Sequence, residues 1–254
     1  MMAGMQIEGA SVLVTGASSG IGAALAPMLA ERGARVGIVA RRKERLEEVL
    51  ARCGDDARMW VVDLGDLDAA VRVAEEADAA FDGLDVLVNN AGIPKRRPVT
   101  EVSFEEIEET MRVNYFSPVK MSLALLPRML ERGRGCIVNV TSIAGRLGVK
   151  REAAYCGSKF ALTGWTEAMA VDLWNTPVEI RLVLPGAIDT EIWDLPGNDA
   201  PIYDGPKESP ESVAEGIVAA IEGEQFEHYL PDMKAIIEYK TSDVQEFLAG
   251  VATM

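Results

Sequence analysis

Short apolar runs alternate along the whole chain with longer stretches that have helical periodicity. Short runs rich in Val, Ile and Leu predict buried β-strands, and the longer periodic stretches predict amphipathic helices. The predicted strands are 11–15, 34–40, 58–63, 85–89, 135–141, 179–184 and 228–230. The predicted helices are 20–32, 42–52, 67–81, 103–132, 152–174, 209–222 and 233–249. This alternation predicts an α/β fold, with a parallel sheet that has helices on both faces.

Two features interrupt this pattern. The segment 187–208 has neither helical nor strand periodicity and contains three prolines. We therefore expect a long loop that binds a ligand or moves. Pro27 lies inside the first predicted helix, where it removes a backbone hydrogen bond and predicts a kink. No internal repeat, low-complexity tract or linker divides the sequence, so we expect one domain spanning 1–254.

Composition limits the possible partners. Hydrophobic residues make up 48% of the 254 residues, enough for a large core, and the net charge is -15. That charge argues against nucleic acids and anionic membrane surfaces as partners, because both attract basic proteins. We find neither a membrane-spanning run nor the pattern of a signal peptide. The three cysteines are widely spaced, which indicates reduced thiols in a cytoplasm and no metal site.

The first predicted strand leads through a glycine-rich turn into the first helix. The free N–H groups at the start of a helix attract anions, and glycine lets the backbone approach a pyrophosphate closely. The spacing differs from the general dinucleotide fingerprint, so an ordinary tight turn is the alternative interpretation. The candidate contacts to a pyrophosphate are Gly16, Ser18, Ser19, Gly20, Ile21 and Gly22.

The end of the second predicted strand bears on the choice between NAD and NADP. An NAD site usually has an acidic residue there, but this chain has Ala40 followed by Arg41 and Arg42. Guanidinium groups bind phosphate through paired charge-assisted hydrogen bonds, so the pattern favours the 2′-phosphate of NADP. The alternative is a solvated cluster of charges. Asp63 and Leu64 end the third strand, where the carboxylate is a candidate acceptor for the adenine amino group or a turn residue.

Two further polar groups follow later strands. Asn90, Ala91 and Gly92 end the fourth strand, where they predict either a turn beside the cofactor or a plain turn. Tyr155 and Lys159 are four residues apart, which places both side chains on one helical face. A nearby ammonium favours the phenolate and lowers the tyrosine pKa, as an acid or base working near neutral pH requires.

These motifs occur together in one order, each on the expected element: Thr15-Gly16-x-x-x-Gly20-x-Gly22, Asn89-Asn90-Ala91-Gly92, Asn114, Ser142, Tyr155-x-x-x-Lys159 and Pro185-Gly186. The chain therefore resembles the single-domain branch of the short-chain dehydrogenase/reductase family. The resemblance implies a Rossmann-type domain with a seven-stranded parallel sheet. It also implies that Tyr155 is the catalytic acid/base, Ser142 holds the substrate oxygen, Lys159 lowers the tyrosine pKa and binds the nicotinamide ribose, and Asn114 holds a proton-relay water.

The same resemblance implies further contacts. Thr190 matches the contact to the nicotinamide carboxamide, and Pro185, Gly186 and Ile188 belong to the same part of the cofactor site. Predicted helices 103–132 and 152–174 would pack on a second copy to form a homodimer. The apolar residues on them that suit this role are Met121, Leu123, Leu125, Leu126, Leu162 and Trp165. The C-terminus lacks the family's frequent final Asp-Gly-Gly turn, which puts a tetramer in doubt.

We expect an apolar substrate pocket beneath the 187–208 loop. Ile143, Leu147, Ile188, Ile192 and Trp193 are its candidate wall, and Arg146, Lys150 and Arg151 leave room for an acidic substituent. The function predicted is an NADP(H)-dependent oxidoreductase that interconverts a carbonyl and a secondary alcohol. A non-catalytic NADP-binding sensor or scaffold is the alternative. A sugar-nucleotide epimerase or dehydratase is disfavoured, since about 70 residues follow Pro185, too few for a substrate domain.

Overall fold

The computed structural model describes residues 4–253. Its centre is a sheet of seven parallel strands in the order β3-β2-β1-β4-β5-β6-β7. The strands are β1 (Ser11–Thr15), β2 (Arg35–Ala40), β3 (Arg58–Val61), β4 (Val86–Asn89), β5 (Gly135–Val140), β6 (Val178–Pro185) and β7 (Glu227–Leu230). The strand order reverses between β1 and β4, so a crevice opens there at the carboxyl ends of the strands. The predicted fold class is confirmed.

Helices cover both faces of the sheet. They are α1 (Gly20–Glu31), α2 (Lys43–Leu50), α3 (Leu67–Ala80), α4 (Phe104–Met111), α5 (Ser117–Arg132), α6 (Ala153–Asp172), α7 (Pro210–Glu222), α8 (Lys234–Ser242) and α9 (Val244–Thr253). Helices α1, α2 and α7 pack on one face, and α3, α5 and α6 pack on the other. Within residues 4–253, none of the helices has the length and hydropathy needed to cross a bilayer.

The core lies on both faces of the sheet, which explains the continuous apolar character of β1. Val12 and Val14 belong to the cluster beneath α1 and α7, whereas Leu13 belongs to the cluster beneath α3 and α5. Successive side chains of a strand point to opposite faces, so a strand covered by helices on both faces needs an apolar residue at every position. The apolar runs in the sequence predict strands for this reason.

The structure divides two of the predicted helices. The predicted helix 103–132 becomes α4, a π-helical turn (Arg112–Phe116) and α5, and Asn114 lies in that turn. The predicted helix 233–249 becomes α8 and α9, because Asp243 is extended, with a φ of −147°, and α9 continues to Thr253. Helix α1 continues past Pro27, which is buried in it.

The predicted loop 187–208 is closed at its base and pinned along its length. Ile188 and Glu208 form an isolated parallel bridge, with the Asp189 N–H donating to the Glu208 carbonyl at 2.8 Å. The Trp193 indole N–H donates to the Ile188 carbonyl at 2.6 Å, and its ring stacks against Tyr203. These contacts give the loop a defined shape over the crevice.

Candidate active site

The glycine-rich turn after β1 forms one end of the crevice. Gly16 and Gly20 have φ values of +68° and +53°, which other residues rarely adopt. A Cβ at Gly22 would lie 2.6 Å from the Gly16 carbonyl oxygen, so only glycine fits there. Ser19, the N-cap of α1, is extended and its side chain does not cap the helix. The first-turn N–H groups therefore remain available to an anion.

The segment after β4 is fixed against this turn. The N–H groups of Asn90 and Ala91 donate to Thr15 Oγ1 at 3.0 and 3.1 Å, and the Asn90 amide donates to the Thr15 carbonyl at 2.9 Å. A Cβ at Gly16 would lie 2.7 Å from the Ala91 Cα, so the two segments are in close contact. This arrangement holds the floor of the crevice rigid at the strand-order reversal.

Four charged side chains surround the far end of the crevice, beside Ala40. Arg41 lies 3.9 Å from Asp63, and both side chains are 59% exposed. Arg42 donates to the Ser18 hydroxyl at 3.3 Å through Nε and to Glu191 Oε2 at 2.6 Å through Nη1. The hydrogen bond from Arg42 holds the pKa of the Glu191 carboxyl below its usual value. Sequence reasoning missed Glu191, which directly follows Thr190 and whose contact with α2 is purely tertiary.

Asn114 and Lys159 lie beneath the middle of the crevice. Asn114 is fully buried, with its Oδ1 accepting from the Ile93 N–H at 2.8 Å and its Nδ2 donating to the Ile93 carbonyl and to Ser158 Oγ. Lys159 Nζ donates to the Val140 carbonyl at 3.2 Å and lies 5.7 Å from the centre of the Tyr155 ring. Burial lowers the pKa of Lys159 to about 8.

Tyr155 and Ser142 both line the cavity, and the Ser142 hydroxyl is near enough to the phenol to act on its pKa. The Ala144 N–H donates to Ser142 Oγ at 3.1 Å, which orients the serine hydroxyl. The structure reverses one expectation. Burial raises the pKa of Tyr155 above its usual value of about 10, and the interaction with the Ser142 hydroxyl offsets only part of that increase. The prediction that Lys159 lowers the Tyr155 pKa is therefore wrong for this structure, in which burial of the phenol dominates.

One cavity of about 570 Å³ joins these groups. All but two of the residues predicted for catalysis and cofactor binding line it. Those that do are Gly16, Ser18, Ser19, Gly20, Ile21, Arg41, Arg42, Asp63, Leu64, Asn90, Ala91, Gly92, Ser142, Tyr155, Lys159, Pro185, Gly186, Ile188 and Thr190. The other two, Gly22 and Asn114, are buried just behind the wall, in the glycine turn and the π-helical turn.

The half of the cavity near Tyr155 is mostly apolar. The five apolar residues predicted for the pocket, Ile143, Leu147, Ile188, Ile192 and Trp193, all line it. Sequence reasoning missed the part of the wall contributed by Met233 and by α8 and α9, namely Ile236, Phe247 and Val251. The apolar periodicity of 233–249 predicts helices, but it does not indicate which cavity they cover.

The three basic residues predicted beside the pocket are already engaged. Arg146 forms ion pairs with Glu167 and Glu227 and does not line the cavity. Lys150 Nζ donates to the Ala252 carbonyl at 2.9 Å, and Arg151 lies 3.9 Å from Asp199. The expectation of room for an acidic substituent is therefore wrong for Arg146, and the other two bind the chain itself.

Comparisons with known proteins agree with this arrangement. The family model described as short chain dehydrogenase matches residues 10–199. The chain belongs to the short-chain dehydrogenase/reductase family. It is 35% identical over 202 residues to a D-threitol dehydrogenase of Mycolicibacterium smegmatis, an alignment that covers 77% of this chain and 78% of that protein. The predicted family membership is confirmed, and the chain is therefore an oxidoreductase of this family.

Two solved structures have the same fold. A short-chain dehydrogenase from Burkholderia cenocepacia J2315 in complex with NADP has a TM-score of 0.83 and 34% identity, over 97% of this chain and 99% of that one. A family member from Burkholderia phymatum in complex with NAD has a TM-score of 0.87 at 24% identity, over 95% and 96% of the two chains. The family thus includes complexes with both cofactors.

The residues of the cavity fit a nicotinamide dinucleotide. The glycine turn offers N–H groups to a pyrophosphate, and about 570 Å³ lies within the range of small-molecule sites. Side chains at the glycines would block the space, since a Cβ at Gly20 would lie 2.8 Å from Thr190 Cγ2. A Cβ at Gly92 would lie 3.4 Å from both Asn114 Oδ1 and Lys159 Nζ.

Proposed function

We propose that the chain is an NADP(H)-dependent oxidoreductase that interconverts a carbonyl and a secondary alcohol, with Tyr155 as the acid/base. The observation that carries this proposal is that Tyr155 and the neighbouring Ser142 line the wall of one cavity together with the glycine turn. Two hydroxyls side by side provide the two hydrogen bonds that a carbonyl oxygen needs as it gains negative charge.

In this mechanism the bound dinucleotide supplies or accepts the hydride. During reduction, Tyr155 donates its proton to the substrate oxygen, while Ser142 donates a hydrogen bond to the same atom. In the oxidation direction, Tyr155 takes the proton back. Lys159, whose pKa of about 8 keeps it mostly charged at pH 7, stabilises the phenolate that Tyr155 forms after donating its proton.

Asn114 completes the proton path in this proposal by holding a relay water. Its Oδ1 accepts one hydrogen bond from the Ile93 N–H, and a carbonyl oxygen of this type has a second lone pair. Both Oδ1 and the Lys159 ammonium lie next to Gly92, so a water in contact with both groups is compatible with the local packing. The π-helical turn supports this role, because such turns are frequent at functional sites.

The preference for NADP rests on charge. Ala40 occupies the position of the acidic residue that would bond the ribose hydroxyls and repel a phosphate. Arg41 and Arg42 both line the cavity at this end. Arg42 already binds Glu191, whereas the only acidic group within 4.0 Å of the Arg41 guanidinium among residues 4–253 is Asp63, at 3.9 Å. Arg41 is therefore the better placed of the two to bind the 2′-phosphate.

The apolar lining of the cavity near Tyr155 favours a substrate with an apolar body.

A homodimer built from α5 and α6, and a cytoplasmic location, remain predictions from the sequence.

Replacing Tyr155 tests the catalytic role. We expect Tyr155→Phe to lower kcat by more than tenfold, about 1.4 kcal/mol of barrier, because the phenol that moves the proton is gone. NADPH affinity should stay nearly unchanged, since the glycine turn and Arg41 are intact. The measurements are NADPH oxidation over a panel of ketones, aldehydes, quinones and steroids, and NADPH titration by fluorescence.

Tyr239→Phe is the matched control, because Tyr239 is an exposed tyrosine of α8. A Tyr155→Phe enzyme that keeps more than a tenth of the wild-type kcat would contradict the assignment.

A further inference from the structure

A carboxylate that the mechanism does not use faces the reacting end of the cavity. Glu152 is the N-cap residue of α6, yet its side chain makes no capping hydrogen bond. It lines the cavity instead, three residues before Tyr155. Residues three apart at the start of a helix share a face, so the Glu152 carboxylate and the Tyr155 hydroxyl belong to the same part of the cavity wall.

This carboxylate has no partner in the part of the chain that the structure describes. Over residues 4–253, Glu152 accepts no hydrogen bond through its side chain, and no basic group lies within 4.0 Å of it. Burial raises the pKa of Glu152, while the charge of Arg96 acts in the opposite direction. Glu152 lines the cavity, so the hydrogen-bond donor that a partly buried carboxylate needs can come from a bound molecule.

Arg96 contributes charge but is committed elsewhere. Its Nε donates to the Asp199 carbonyl at 3.1 Å, its Nη1 to the Ile192 carbonyl at 3.2 Å, and its Nη2 to the Trp193 carbonyl at 2.6 Å. These bonds hold the 187–208 loop in place over the pocket. The charge of Arg96 therefore lowers the pKa of Glu152, but Arg96 does not bind the Glu152 oxygens. These oxygens stay available to a bound molecule.

The rest of the pocket wall makes Glu152 distinctive. The same lining includes apolar groups such as Ile143, Leu147 and Ile192. It also includes the basic Lys150 and Arg151, which contact the Ala252 carbonyl and Asp199. In such surroundings the free carboxylate of Glu152 has a large effect on substrate affinity. A donor group on the substrate loses its hydrogen bonds to water on binding and needs an acceptor in the pocket.

We propose that Glu152 is a specificity-determining residue, which accepts a hydrogen bond from a hydroxyl or ammonium group next to the reacting carbon. The substrate class that this geometry selects is an α-hydroxy or α-amino ketone with an apolar body, or the corresponding alcohol. This inference rests on the proposed function, because Tyr155 defines where the reacting carbon lies. Both kinds of donor share the same chemistry at the carboxylate, and the experiment separates them.

The test measures binding without turnover. Acetophenone and its α-hydroxy and α-amino derivatives are titrated by calorimetry into the enzyme saturated with NADP⁺, while absorbance of the reduced cofactor is monitored to exclude reaction. We expect at least one derivative to bind about tenfold or more tighter than acetophenone, as a charge-assisted hydrogen bond allows. Glu152→Leu should abolish this preference. Glu152→Gln keeps an acceptor without charge, so it should retain part of a preference for hydroxyl and lose one for ammonium.

Glu215→Leu is the matched control, because it removes an exposed carboxylate of α7 far from the cavity lining. A second measurement distinguishes a role of Glu152 in substrate recognition from a purely structural role in α6. The charge of Glu152 raises the pKa of Tyr155, whose other neighbours are Ser142, Cys156, Arg96 and Lys159, the last with its Nζ 5.7 Å from the centre of the ring. Both Glu152 variants should therefore shift the pH profile of kcat to lower pH, which a purely structural residue would not do.

Several outcomes overturn the inference: equal affinities of wild type for the three ketones, no binding of either derivative, or a preference that survives Glu152→Leu. NADPH oxidation with acetophenone is measured in parallel. Turnover of acetophenone with no preference for the derivatives rejects the role of Glu152 alone. A preference in binding without any turnover rejects the proposed function alone.

Discussion

At the residue scale, the cofactor end of the cavity is a competition between neighbouring charges. Glu191 lies 2.6 Å from Arg42 and 3.7 Å from Arg45, so two of the local arginines already share one carboxylate. Arg41 and Asp63 are 59% exposed and 3.9 Å apart, a weak pair that a phosphate can displace. The proposed preference for NADP therefore depends chiefly on Arg41 and on the absence of an acid at Ala40.

We predict that wild type prefers NADP(H) over NAD(H) by at least tenfold in kcat/KM. One charge-assisted hydrogen bond is worth roughly 1.5–3 kcal/mol, and tenfold requires about 1.4 kcal/mol. The double variant Ala40→Asp with Arg41→Ser should reverse the preference, because the new carboxylate binds the ribose hydroxyls and repels the phosphate. Steady-state kinetics with both cofactors measure this, and the wild-type preference should weaken as salt rises.

Arg52→Ser removes an exposed charge of the same sign just after α2 and serves as the control. A wild-type preference for NAD(H), or a double variant that still prefers NADP(H), would show that Arg41 is only a surface charge.

A second residue-scale feature is the Asp78 carboxylate, which joins α3 to α5. It accepts from the Leu84 N–H at 2.8 Å and pairs with Arg128 and Arg132 at 3.0 and 3.1 Å, with only 7% of its side chain exposed. Burial alone would raise its pKa, but the Leu84 N–H and Arg128 more than offset that, so the pKa of Asp78 lies below its usual value. The ionised form is therefore the one that stabilises the fold.

We predict that Asp78→Ala lowers the free energy of unfolding by about 2–3 kcal/mol, less than a fully buried pair because both arginines are partly exposed. A carboxyl with a depressed folded-state pKa contributes stability above its unfolded pKa of about 3.9 and loses it as pH falls through the folded pKa. The difference from wild type should thus be full at pH 7 and smaller near pH 3. Urea unfolding at both pH values measures it.

Asp68→Ala provides the comparison on the same helix, because Asp68 also pairs with a basic residue of α5, Lys120, but is 81% exposed. Asp68→Ala should lower the free energy of unfolding by less than about 1 kcal/mol. Equal effects of the two substitutions would contradict the argument from burial.

At the element scale, the C-terminal helices act as part of the pocket wall. Ile236 of α8 and Phe247 and Val251 of α9 line the cavity, while Lys240 Nζ donates to the Arg146 carbonyl at 2.7 Å. The Lys150 ammonium binds the Ala252 carbonyl at the end of α9. The two helices are thereby anchored to the segment that follows β5, on the side of the cavity away from the glycine turn.

We predict that deleting residues 234–254 raises KM for apolar ketones by about tenfold or more, since the apolar area buried around the substrate is lost. NADPH affinity should change by less than about threefold, because none of the pyrophosphate contacts lies in the deleted segment. The measurements are steady-state kinetics and NADPH titration, with circular dichroism to verify folding. Phe247→Ala is the milder variant, and an unchanged KM in both proteins would show that the helices do not contact substrate.

At the whole-molecule scale, two helices present apolar surface away from the sheet. Leu123 is 51% exposed on α5 and Val171 is 74% exposed on α6. Met121, Leu125 and Leu162, which the sequence suggested for a dimer interface, are buried in the protomer's own core. That expectation is wrong for these three, because they lie on the helix faces that pack towards the sheet.

We predict a homodimer through the outer faces of α5 and α6. Leu123→Glu should shift the protein towards monomer by placing a charge in an apolar contact, and Val99→Glu, at a residue 72% exposed outside these helices, should not. Multi-angle light scattering at micromolar concentration measures both. The net charge of -15 opposes association, so salt should favour the dimer. A wild-type monomer under these conditions would refute the interface.

The sequence by itself determined the order of strands and helices, because periodicity and glycine turns are local properties that act within a few residues. It also indicated residues around the cavity, such as Gly16, Arg41 and Asn90, since they follow strand ends that a parallel sheet brings to one edge. Tyr155 was indicated instead by its helical spacing from Lys159 and by the family resemblance. Which of these groups bind one another, and which stay free for a ligand, depends on the tertiary structure. The contact of Arg42 with Glu191, the apolar wall from α8 and α9, the burial that raises the Tyr155 pKa and the unpartnered Glu152 all depend on how elements distant in sequence meet.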